Sequence, residues 1–167
     1  MVTHDPEEAL AICDEVAVIS GGLWHQCAPP RQLVATPATS FVASFVLQAN
    51  VMKPSDLIPL LSSQQQDALS RLDQCDSSAL LVRLEDCRVD LNPSGSAEVL
   101  SREFLGHEWM YQVRLSTGQR LRLKVGLDQD IAPGQRCDFS LQGCWTPQLI
   151  HCQAGEPEAP LQPAPKA

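Results

Sequence analysis

Near residue 79 the hydrophobic period of this chain changes from that of a helix to that of a strand. Beyond it, Cys87, Val89 and Leu91 alternate with polar neighbours, as do Trp109, Tyr111, Val113 and Leu115. Leu121, Leu123 and Val125 alternate with Arg120, Arg122 and Lys124, and Cys137, Phe139 and Leu141 repeat the pattern. A period of two places each apolar set on one face of a strand. Asn92-Pro93-Ser94-Gly95, Ser116-Thr117-Gly118 and Ala132-Pro133-Gly134 supply turn chemistry between these runs. Short strands with a turn about every ten residues predict an all-β small OB-like barrel or sandwich over 79–152.

Residues 1–46 follow a different grammar, that of an α/β segment. Asp5 can cap a helix whose first position is Pro6, and Glu8 is placed for the return bond of a capping box. The acids at 5, 7 and 8 favour the positive end of the helix dipole. That helix should run to about Cys13. Glu15 to Ile19 reads as a buried strand, Gly21-Gly22 as a hairpin turn and Leu23 to Cys27 as its partner strand. Pro29-Pro30 opens a short helix to about Ala35. Pro37 opens another, with Ala38, Phe41, Val42, Phe45 and Val46 on one apolar face. Residues 47–78 form a connection broken by Pro54 and Pro59, with one short helix expected in 62–72. The Pro/Ala-rich tail 153–167 is expected to be disordered.

Charge and composition remove several function classes. Twelve Lys+Arg stand against 20 Asp+Glu, a formal net charge of −8. Both a nucleic-acid backbone and an anionic membrane surface need a positive field, so neither is expected as the main partner. Arg114, Arg120, Arg122 and Lys124 fall on one face of a hairpin, but they read as the solvated side opposite the core. No apolar run approaches the 18 residues of a membrane span, and the acidic first twenty residues do not form a signal peptide. The cysteines at 13, 27, 75, 87, 137, 144 and 152 contain no CxxC pair and read as reduced core residues, with no metal site expected. Glu85, Asp86 and Glu103 read as solvated partners of Arg83, Arg88 and Arg102, with no convergent nucleophile or base to make them catalytic. Trp24, Trp109 and Trp145 read as core or rim packing.

A 46-residue α/β piece is too small to stabilise a core alone without disulfides or metal. It either packs on the barrel or is the end of something larger. The residues themselves point to the second. Val2-Thr3-His4-Asp5-Pro6-Glu7-Glu8-Ala9, Asp14 to Ile19, Gly22, Gln26, Pro29, Pro37 with Phe41-Val42-Ala43, and Asn50 resemble the end of the nucleotide-binding domain of ATP-binding-cassette (ABC) import ATPases. The running pattern there is VTHDxxEAxxxxDxxxVxxxGxxxQxGxPxxxxxxPxxxFVAxFxG. Cys27-Ala28 and Leu47 depart from it mildly. Val82-Arg83-Leu84-Glu85-Asp86 resembles the entry of the transport-associated OB-type domain, with Leu84 in place of proline. Arg102 to Gly106, Tyr111, Val113 and Gly118 fit its next hairpin.

The resemblance implies an α/β remnant, the end of a P-loop ATPase domain, followed by the OB-type barrel. It implies that His4 is the switch histidine that reaches the ATP γ-phosphate and helps hold the attacking water. An imidazole can contact a phosphate oxygen and a backbone carbonyl at once, which suits that task. ATP and Mg²⁺ are the cofactors of the full-length family. The implied partners are integral-membrane permease subunits, a second ATPase subunit in a homodimer and, indirectly, a periplasmic solute-binding protein. The implied location is cytoplasmic, on the inner face of the plasma membrane. The 167 residues contain no GxxxxGK[ST] phosphate loop and no four-hydrophobe-Asp-Glu strand. Ser20-Gly21-Gly22 is a β-turn rather than an LSGGQ signature. All these parts lie upstream of the histidine in the family, so the chain reads as a C-terminal portion of a longer protein. Alone it is expected to hydrolyse no ATP and to need no cofactor. Within the family the junction around FVASFVLQANVM most resembles importers of ferric iron, with polyamine, phosphonate and sulfate relatives close behind. Two other readings stay open: a stand-alone barrel that holds a small oxyanion, and a remnant without function whose 1–46 segment is unfolded.

Overall fold

The computed structural model describes residues 1–72, 78–143 and 145–151. The expected tail 153–167 and the cysteines at 75, 144 and 152 lie outside the described residues. The N-terminal part consists of α1 (Pro6–Ile12), a hairpin of β1 (Val16–Ser20) and β2 (Leu23–Ala28), then α2 (Pro30–Ala35) and α3 (Ser40–Val46). Gly21 and Gly22 both adopt positive φ, 57° and 78°, at the hairpin turn, where L-residues are penalised. β1 is not the buried strand that its apolar run predicts. Only Val18 is buried, and Ile19 is 59% exposed. α3 begins at Ser40, three residues after Pro37, because the Thr39 hydroxyl accepts the Val42 N–H and sets the cap there. Leu47 itself is unstrained at φ −94°, and the left-handed position after α3 falls on Gln48 at φ 52°.

The connecting segment holds more than one helix. It forms β3 (Asn50–Met52), α4 (Pro54–Leu57), a 3₁₀ turn at Ile58–Leu60 and α5 (Ser63–Ser70). Ser62 and Gln65 make a reciprocal capping box on α5, and the Gln65 carboxamide also donates to the Gln142 carbonyl, 3.1 Å away. Leu57, Leu61 and Leu69 enter the main core, which is what places α4 and α5.

The remaining strands meet the all-β expectation. β4 (Ser78–Val82), a 3₁₀ turn at Leu84–Asp86, β5 (Cys87–Leu91), β6 (Ala97–Phe104), β7 (Trp109–Leu115), β8 (Arg120–Val125), β9 (Arg136–Leu141) and β10 (Leu149–His151) are all antiparallel to their neighbours. One sheet has the order β5-β9-β6-β7-β8, and its edge strands β5 and β8 approach each other, curling it toward a barrel. The alternating residues face inward: Val89, Tyr111, Val113, Leu121, Leu123, Cys137 and Phe139 are all buried. Leu91, at the end of its strand, is exposed instead. Gly95 is required by close approach, since a Cβ there would overlap the Cys137 carbonyl group. Tyr111 is fully buried, and its hydroxyl donates to the Gln129 carbonyl and accepts the Ile131 N–H at 2.9 and 3.0 Å.

β4 is buried along its whole length and lies in a second sheet of order β10-β4-β3. Leu80 and Val82 join the barrel core, while Leu81 joins a small cluster with Ala43, Ala49 and Ile150. The buried Asn50 ties the two sheets together. Its carboxamide accepts the Arg122 N–H and donates to the Arg122 carbonyl, each at 2.8 Å, so a side chain completes the edge of β8. The barrel also grips the N-terminal part. Arg83 donates to the Val34 carbonyl at 2.6 Å and Gln148 to the Ala35 carbonyl at 3.3 Å, satisfying the last carbonyls of α2.

Two outcomes test this packing. Asn50→Ala removes both bonds to β8 and leaves a buried amide unpaired, so urea denaturation should show a loss of about 2–3 kcal/mol; a loss under about 0.5 kcal/mol would contradict the role assigned to Asn50. Burial, helped by the nearby Asp138 carboxylate, pushes the Cys137 thiol up to about 11, and burial pushes Cys87 up further. The thiolate is the reactive species. Alkylation of the folded chain near neutral pH should therefore spare Cys87 and Cys137 and label them only after unfolding, as read by peptide mass mapping.

Candidate functional site

His4 lies in a bend between Thr3 and α1, with its side chain exposed and without a hydrogen bond among the described residues. The bend is built from its neighbours. Asp5 has an extended backbone, φ −101° and ψ 108°, and its Oδ1 accepts the Glu7 and Glu8 N–H groups at 2.9 and 3.3 Å. Pro6 occupies the first helical position, where its missing N–H is no loss. The expected return bond from Glu8 to the cap amide is not made. The Thr3 hydroxyl stands between them: it donates to Glu8 Oε2 at 2.8 Å and accepts the Asp5 N–H at 3.1 Å. The amide is satisfied by a two-step relay instead of a direct bond.

This bend rests on a small core. Val18, Ala28, Leu33, Val42 and Val46 are buried together, with Leu10 of α1 packed against them. His25 is the extra residue of a register shift between β1 and β2 and turns inward. Its ring centroid is 4.7 Å from that of Phe41, and its Nδ1 is 3.1 Å from Thr39 Oγ1. Gln26 donates to the Thr36 carbonyl at 3.0 Å and accepts the Ala38 N–H at 2.8 Å, which holds the loop before α3. Both Gln26 and Asn50 belong to the sequence pattern, yet spacing alone assigned neither a role. A carboxamide carries one donor side and one acceptor side, so each can substitute for a strand neighbour.

The other candidates do not converge on a reaction centre. Glu85 and Asp86 lie in the 3₁₀ turn, not on a strand. Burial raises the Asp86 carboxyl above its ordinary range, although a bond from the Arg83 N–H opposes the shift. Arg102 pairs with Asp130 and lies 4.8 Å over the Trp109 ring, Arg114 pairs with Glu98 at 2.7 Å and Lys124 with Glu108 at 2.8 Å. Arg122 is only half-solvated: it donates to the Gln48 carbonyl at 3.1 Å, and burial lowers its pKa. Trp145 is buried and donates to the Leu81 carbonyl, whereas Trp24 is 62% exposed and packs in no core. A groove of about 490 Å³ runs between Glu7 of α1, Leu47 after α3, Leu84, and the outer face of β6–β8 at Glu103, Met110 and Arg122. Its lining brings no histidine or cysteine to a carboxylate.

Among the described residues no helix is long and apolar enough to cross a membrane. The TOBE domain family matches residues 80–146, which takes in the strands from β4 to β9. A spermidine/putrescine import ATP-binding protein of Hahella chejuensis is 31% identical over 146 residues, 77% of this chain and 40% of its own length. An Fe(3+) ions import ATP-binding protein of Rhizobium meliloti is 30% identical, covering 79% of this chain and 40% of the relative. A sulfate/thiosulfate import ATP-binding protein of Thermosynechococcus vestitus is 31% identical, covering 72% and 33%. The chain thus spans about two fifths of the length of the curated relatives it matches. By these matches the chain is homologous to the C-terminal part of the ATP-binding subunits of ABC importers, TOBE domain included.

Proposed function

We propose that this chain serves an ABC importer ATPase by supplying the γ-phosphate switch, through His4, and the accessory barrel that follows it. The observation that carries the reading is the ordered match from Val2 to Asn50, joined to a TOBE domain at 80–146. Residues 1–46 are then the end of a P-loop ATPase domain. The exposure of Val2, Ile12, Ile19, Leu23 and Trp24 supports this, since apolar side chains so placed want a cover. In this reading ATP and Mg²⁺ bind mainly to parts outside these 167 residues. When bound, they supply the scissile phosphoanhydride and the charge that offsets its oxygens. This chain contributes the imidazole, which holds the attacking water and senses the γ-phosphate from an exposed bend at a capped helix. Two such subunits work as a homodimer on the cytoplasmic face of the membrane, against permease subunits fed by a periplasmic binding protein. For the solute we assign ferric iron, from the junction Phe41 to Met52. Relatives named for polyamine, iron and sulfate import all stand at 29–32% identity, so identity does not rank the three.

The purified 167-residue chain should release no phosphate from ATP above the buffer rate. Joined in frame to a segment that carries a phosphate loop, signature and Asp-Glu strand, it should give an ATPase whose kcat falls about a hundredfold or more in His4→Ala. Turnover by the chain alone, lost in His4→Ala, would overturn the division of labour. Full turnover of the joined protein in His4→Ala would overturn the role of His4.

A further inference from the structure

The relay through Thr3 gives Glu8 a task that a helix cap alone does not explain. The bond expected from Glu8 to the Asp5 amide would close the cap without involving residue 3. Instead the Thr3 hydroxyl takes both roles, donating to Glu8 Oε2 at 2.8 Å and accepting the Asp5 N–H at 3.1 Å. Thr3 and Asp5 flank His4 directly, so the relay fixes the two peptide units on either side of the imidazole-bearing residue. Asp5 then fastens the same bend to α1 through its bonds from the Glu7 and Glu8 amides. α1 is in turn held by Ala9, buried, and by Leu10 against the Val18–Leu33–Val42 core. The backbone of an exposed residue is thereby tied to a packed element through hydrogen bonds on both sides. Because the His4 side chain has no bond of its own among the described residues, that backbone is what sets its Cα–Cβ direction and the rotamers open to it.

From this geometry we infer that Thr3 and Glu8 are positioning residues for His4: the Glu8 carboxylate, acting through the Thr3 hydroxyl, holds the bend from which the imidazole reaches its phosphate. This rests on the switch role proposed for His4. As residues that act through His4, their loss should lower kcat and leave KM for ATP unchanged. The hydrogen bond also predicts which substitutions are harmless. Thr3→Ser keeps the hydroxyl and Glu8→Gln keeps an acceptor oxygen, whereas Thr3→Val and Glu8→Ala break the relay.

The test has two arms. In the 167-residue chain, hydrogen exchange read by NMR should show the Asp5 amide exchanging about threefold faster or more in Thr3→Val, with Thr3→Ser near the parent rate. Glu8→Ala should act in the same direction and Glu8→Gln should restore protection. The Ala9 and Cys13 amides, which donate to Asp5 and Ala9 carbonyls within α1, should stay unchanged in Thr3→Val; equal acceleration at all three would mean simple fraying of the helix and would overturn the inference. In the joined ATPase, Glu8→Ala should lower kcat about tenfold at constant KM, Glu8→Gln should recover it, and adding Glu8→Ala to His4→Ala should cost nothing more. A Glu8→Ala enzyme with parent kcat overturns the positioning role. If His4→Ala itself keeps full turnover, the switch reading fails, and the amide measurements still report whether the relay exists.

Discussion

The pairing of the Asn50 carboxamide with both backbone groups of Arg122 is the constraint on which the arrangement turns. β8 is an edge strand, and an unpaired edge with buried amides is costly. A side chain that carries a donor and an acceptor in one plane closes that edge without another strand. It also fixes where β3 lies, and β3 in turn aligns β4, whose two faces feed different cores. Arg122 answers from the other side by donating to the Gln48 carbonyl, just where the chain leaves α3 in a left-handed turn. This residue pair therefore helps hold the helical part against the barrel.

That connection bears on the small size of the first 46 residues. Their core holds few fully buried side chains, and several of their large apolar residues face solvent. The described structure shows them leaning on the barrel through Arg83, Gln148 and the Ala43–Leu81 cluster. The two possibilities left by the size argument are thus compatible. The segment packs on the barrel with one side, and it presents apolar surface on the rest. The His4 bend lies in this segment, so its stability is inherited from α1 and the packing beneath it, not from the imidazole.

Much of this was legible in sequence. The period-two runs gave most of the inward faces of β5, β7, β8 and β9, and the Asp5-Pro6 pair gave the start of α1. The Gly21-Gly22 turn was legible for the same kind of reason: the signal lies within a few residues of the element it sets. Less legible were features decided at a distance. β3 is three residues long and has no pattern apart from β4. The apolar run of β1 does not reveal which of its faces finds a partner. Trp24 and Trp145 look alike in sequence, yet one is exposed and the other buried beside Leu81. Glu8 satisfies the spacing of a capping box, but the Thr3 hydroxyl, five residues earlier, takes its carboxylate instead.

By itself the sequence determined the elements of residues 1–46, the alternation of β5, β7, β8 and β9 and the family resemblance, because local propensity, periodicity and an ordered run of residues need no third dimension. The tertiary structure decided which polar side chains hold the parts together. Asn50 reaches Arg122 across 72 positions, Arg83 reaches Val34 across 49, and Gln148 reaches Ala35 across 113. Each satisfies a backbone group that its own helix or strand leaves open. Such partners follow from where buried donors and acceptors are left over after folding, and no local pattern records that.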